Sequence, residues 1–103
     1  MPKEQFSEII QTFKAQYIPK GSIELLEDEE IEANPFLTDL IHLPRITTLQ
    51  AEKGKDNFFF SKIAERLVLC VRAEKTLYNI GILKYVAKRI CDEIRNSAIR
   101  PTN

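Results

Sequence analysis

The sequence predicts an all-α fold, a small bundle of four to five helices in which the two C-terminal helices are long and antiparallel. Three observations carry that prediction. Phe6, Ile9, Ile10, Phe13 and Tyr17 recur at the spacing of one helix face near the start of the chain. Leu83, Val86, Ala87, Ile90 and Ile94 do the same near its end. Between them, residues 57–72 read NFFFSKIAERLVLCVR, which is apolar on nearly every side when wound as a helix. Such a helix belongs at the centre of a domain, with neighbours on at least two flanks.

Taken in order, residues 3–17 form a first amphipathic helix, stopped by Pro19 and Gly21. Ser22 caps a second helix over 23–32, with Ile23, Leu26 and Ile31 as its few apolar positions and Glu27-Asp28-Glu29-Glu30 as a solvated face. Asn34 and Pro35, a cap followed by proline at the first helical position, open a short third helix that carries Phe36, Leu37, Leu40 and Ile41 and ends at Leu43-Pro44. Ile46–Gln50 admits two readings. It can extend and pair with Phe58–Phe60 across a Lys53-Gly54-Lys55 turn, or form a loop with a helical turn. The loop is the expectation, because a lone two-stranded ribbon is marginal and the Phe run flows straight into the helical pattern. Asp56 or Asn57 then caps the central helix. On one continuous helix, its apolar stripe and that of Leu83–Ile94 would point about 150° apart. The break therefore falls between Ala73 and Ile80, and Asn79 caps a last helix running from 80 to about 97.

At 103 residues, with 44% hydrophobic and 29% charged side chains, the chain is expected to be a single globular domain, residues 1–103. Fifteen basic and fifteen acidic residues cancel, so the whole chain offers no field to attract nucleic acid or an anionic membrane. The halves differ. Residues 1–50 hold nine acids and four bases, and residues 51–103 hold six acids and eleven bases, giving charges of −5 and +5. The plain consequence is an acidic helix packed beside basic ones, and the other is a basic face left free for a partner. No apolar run approaches the length of a signal sequence or a membrane span. The two cysteines make neither a Cys-x-x-Cys pair nor a disulfide framework, so a cytoplasmic setting with reduced thiols is expected.

The residues that carry chemistry are sparse. His42 is the only histidine, with Asp39 three residues before it, and its place near a helix C-terminus is structural. Without a second histidine or a cysteine at ligand spacing there is no zinc ligand set, and the acidic run lacks the alternating oxygens and glycine of a calcium loop. Cys70 sits in the most apolar segment, where a thiol stays neutral, and Cys91 lies at the edge of the last apolar stripe. Three isolated glycines form no phosphate-binding loop. No catalytic, metal or cofactor residues are assigned, and no enzyme is expected.

The expected function is a protein–protein interaction module: an adaptor, an inhibitor or immunity-type partner, or a small subunit of a larger assembly. Phe58 and Phe59 are its candidate interface residues, exposed at the start of the central helix and suited to a homodimer or a foreign partner. The alternative is a nucleic-acid-binding subunit using a basic face of Lys62, Arg66, Lys84, Lys88 and Arg95. Asp92 and Glu93 interrupt that row, and no aromatics alternate with it to stack bases.

Overall fold

The computed structural model describes residues 2–42, 48–64 and 67–99. Its elements in chain order are α1 (Pro2–Tyr17), β1 (Ser22–Leu26), α2 (Asp28–Glu32), α3 (Pro35–His42), β2 (Thr48–Lys53), β3 (Asp56–Ala64), β4 (Leu67–Glu74) and α4 (Ile80–Ile99). The strands form one antiparallel sheet in the order β1-β4-β3-β2. The protein is mixed α and β, which overturns the all-α expectation.

The central helix is the largest correction, since residues 57–72 fall within the β3–β4 hairpin. Their apolar residues are buried on both faces of the sheet. Leu67, Leu69, Val71 and Ala73 of β4 join Phe59 of β3 in a core beneath α1 and α4. Val68 and Phe60 point the other way and pack against Ile31, Leu37 and Leu40 of α2 and α3. A strand covered on both sides reads as a continuous apolar run, and such a run mimics a helix buried all round. With no central helix, the antiparallel pair of long C-terminal helices is also lost.

Two further expectations change. The helix expected over 23–32 begins as β1, where Ile23 and Leu25 face the core and Glu24 faces outward. Only Asp28–Glu32 is helical, with three acids in the first turn, where the helix dipole favours them. The loop expected over Ile46–Gln50 is a strand from Thr48 onward, and Leu49 and Gln50 lie opposite Phe60 and Phe59. Residues 46 and 47 lie outside the described residues. Gly54, with φ 61°, takes the first central position of the two-residue turn, and glycine adopts that backbone without strain.

Three helices match the sequence reading because each is apolar on one side only. In α1, Phe6 and Ile10 are buried, and its Phe13 and Tyr17 rings stack 5.9 Å apart. Helix α3 starts at Pro35; its expected end at Leu43-Pro44 lies outside the described residues. In α4, Leu83, Val86, Ala87 and Ile90 are fully buried, and the Asn79 Oδ1 accepts the Ile82 N–H at 3.0 Å, capping the helix as expected. Gly21 follows α1 where the chain passes close to β4. A Cβ there would meet the Arg72 carbonyl oxygen at 3.0 Å.

The acidic and basic helices do not pack side by side. Helix α2 lies on one face of the sheet and α4 on the other, so the sheet separates the acidic helix from the basic one. The core assignment has a measurable consequence. Leu69, fully buried in β4, should cost roughly 2–5 kcal/mol when cut to alanine, whereas Glu29→Ala on the exposed side of α2 should change stability by less than about 0.5 kcal/mol. Urea melts of the two variants giving equal shifts would be incompatible with this packing.

Candidate functional site

The two faces of the sheet are covered unequally. Helices α1 and α4, of 16 and 20 residues, cover one face, while α2 and α3, of five and eight, lie over part of the other. Strand alternation places Phe58 and Phe60 on that second face and turns Phe59 toward α4. Phe60 is only 4% exposed, whereas Phe58, two residues nearer the Gly54 turn, is half-buried. The two rings stack 6.1 Å apart and nearly parallel, at 7°.

Beside Phe58 an open cleft of about 390 Å³ is lined by Leu26, Leu37, Ala51, Phe58, Phe60 and Cys70, with Glu24, Asn34, Glu52 and Lys53 also at its walls. Arg72 lies directly across from Phe58 in the β3–β4 register. Its guanidinium sits 5.8 Å from the ring centre and its Nε lies 3.7 Å from Asp56 Oδ2. An arginine over an aromatic face contributes a cation–π attraction of about 0.5–1 kcal/mol at such an exposed site. The arrangement is an apolar floor with a charged rim, of the kind that receives an apolar side chain from another molecule. Phe59, the other candidate interface residue, is 4% exposed and belongs to the core beneath α4.

Among the described candidate basic residues, Lys62 stands apart from the other three. Lys62 pairs with Val68 on the α3 side of the sheet, and Arg66 lies outside the described residues. Lys84, Lys88 and Arg95 do share one cleft, of about 210 Å³, between α4 and the face of β2 and β3. Thr48, Ser61 and Asp92 complete its polar lining. At its floor the Cys91 thiol donates to the Ser61 hydroxyl at 3.3 Å.

The cysteines lie on opposite sides of the sheet, and both are free. Burial, reinforced by the charge of Glu24, pushes the Cys70 thiol up to about 12. Burial also raises the Cys91 thiol, against a hydrogen bond with Ser61 that pulls it down. Neither environment activates a nucleophile. His42 is exposed at the end of α3. Among the described residues no three of His, Cys, Asp and Glu come together in a way that could hold a metal ion. Among them, too, no helix is long and apolar enough to cross a membrane.

No protein-family model matches the sequence, and a search of curated proteins finds no match. Among solved structures the chain is similar to Myxococcus xanthus MglB, with a TM-score of 0.63 over all of this chain and 98% of that one, at 18% identity. The likeness is one of fold. It supports the sheet and helix arrangement described above, independently of any shared site residue.

Sequence reasoning reached Phe58 but missed the residues that make a site around it. Leu26, Ala51 and Arg72 become its neighbours only through strand pairing, and no local spacing marks them. Thr48 and Ser61 escaped for the same reason.

The thiols give a direct check. Both hold their protons more tightly folded than unfolded, so between the unfolded value near about 8.5 and the folded one, the unfolded chain binds fewer protons. Their contribution to stability is therefore intact below about pH 8.5 and is lost as pH rises through the folded value, about 12 for Cys70. At pH 8 the native protein should react with a chromogenic disulfide more slowly than the unfolded chain, and native labelling of Cys91 as fast as in the unfolded chain would contradict the burial described.

Proposed function

We propose that this chain is a protein–protein interaction module without catalysis of its own, acting as one unit over residues 1–103, in the cytoplasm, as an adaptor, an inhibitor-type partner or a small subunit. It docks through the face that carries Phe58, and a second copy of the chain is the first candidate for its partner. One observation carries this reading. Helices α2 and α3 leave one end of their sheet face open, and there a half-exposed phenylalanine lines an apolar cleft ringed by polar and charged groups. Aromatic side chains set in such surroundings are the usual anchors of interfaces. The likeness of fold to MglB supports the scaffold and leaves the partner open.

Among the described residues, the other exposed large apolar side chains are Leu77, Ile82 and Tyr85. Leu77 lies in the turn before α4, and Ile82 and Tyr85 lie along the outer side of α4, where the Tyr85 ring meets the Tyr17 ring edge-on at 5.6 Å. None of these lines the Phe58 cleft.

The test is sedimentation velocity over micromolar to near-millimolar concentrations, comparing wild type with Phe58→Ser. The wild type should associate. Removing a central anchor should weaken association by about 2 kcal/mol or more, while circular dichroism keeps its native shape. A wild-type chain that stays monomeric throughout, with Phe58→Ser indistinguishable from it, would remove self-association from the reading.

A further inference from the structure

The cleft between α4 and β2 lies on the opposite face from Phe58 and has a chemistry of its own. Lys84, Lys88 and Arg95 recur on one side of α4, and all three are exposed. Three other cations of the second half are engaged. Arg72 meets Asp56, Lys75 meets Glu52 at 3.2 Å, and Arg89 lies over the Phe13 ring. Among the described residues, none of the three cleft cations has an ion-pair partner within 4 Å. Lys84 and Lys88, one helical turn apart, repel each other, and an anion held between them would relieve that repulsion. The neutral chain thus concentrates unpaired positive charge in one groove.

Beside the groove runs the outer edge of β2, with which no other strand pairs among the described residues. An edge strand presents unpaired N–H and C=O groups along its length, ready to receive another extended chain. Thr48 and Gln50 are exposed along it, and a second hollow of about 250 Å³ is lined by Gln50, Ala51, Asn57, Ile80 and Glu52, whose carboxylate is held by Lys75. Lys84 and Lys88 are separated by about 6 Å along α4, near the spacing of roughly 6.6 Å between same-face residues of a strand.

We propose that this groove binds an acidic polypeptide segment in extended conformation, which pairs with β2 and directs alternate carboxylates at Lys84, Lys88 and Arg95. Two features favour polypeptide over nucleic acid. Asp92 stands within the cationic lining, and the aromatic ring in the cleft, Phe59, is buried and offers no face for a base to stack on. The free backbone edge is also a feature that only a polypeptide exploits along its whole length.

The experiment is fluorescence anisotropy with a labelled twelve-residue peptide alternating Glu and Thr, titrated with the full chain at low salt. Binding should weaken as salt rises, fall at least about tenfold in Lys84→Glu/Lys88→Glu, and be lost when every second peptide amide is N-methylated. Phe58→Ser should bind as wild type does, which separates this groove from the surface on the other face. Absence of binding at low salt, equal binding by the double variant, or unchanged binding of the N-methylated peptide would each overturn the proposal. A single-stranded oligonucleotide of equal charge that displaces the peptide and binds more tightly would overturn it in favour of a nucleic-acid surface.

Discussion

Burial of the β3–β4 hairpin on both faces is the constraint on which the rest of the structure depends. Successive residues of β4 alternate between the two sides, Leu69 and Val71 toward α1 and α4, Val68 and Cys70 toward α3. A strand apolar on both sides requires cover on both sides, and the chain supplies it unevenly. The N- and C-terminal helices cover one face. The other receives two short helices inserted between β1 and β2, and they shield Phe60 and Val68 but stop short of Phe58. The cleft beside Phe58 is therefore where the second layer ends.

The same two-sidedness decided what could be read from the sequence. Helices α1, α3 and α4 are each apolar on one side, and the 3.6-residue period that results is visible without any tertiary knowledge. Asn79 announced the last helix because capping is a local interaction. The hairpin had no such signature. Phe58, Phe59 and Phe60 fan out around a helical wheel, and so suggest a helix with aromatics on several flanks, whereas a strand sends Phe59 one way and its neighbours the other. In β1, Ile23 and Leu26 fit helical spacing, and Leu25, the residue that breaks that spacing, is one of its two buried side chains. Five residues are too few to settle the period.

Phe58 was thus reached from the wrong geometry. Its partial exposure follows from the length of the helices above it, and its contact with Arg72 from the register between two strands. Both are long-range facts. The charge asymmetry of the two halves was plain in the composition, but its spatial meaning was not. The sheet stands between α2 and α4 and keeps the acids of one from packing against the bases of the other.

The strand order also bears on how the chain assembles. Strands β2, β3 and β4 are consecutive and paired in sequence order, so only two residues separate each from the next. Strand β1 instead joins the sheet beside β4, and pairing Leu26 with Val68 closes a loop that contains α2, α3 and two other strands. Closing that loop costs more conformational entropy than either hairpin does. The meander is accordingly expected to organise first, with β1 docking late against an edge already formed. In a refolding experiment, amide exchange pulses would then find β1 unprotected after β3 and β4 have become protected. The first half of the chain, α1 and β1 included, would complete a core that the second half begins.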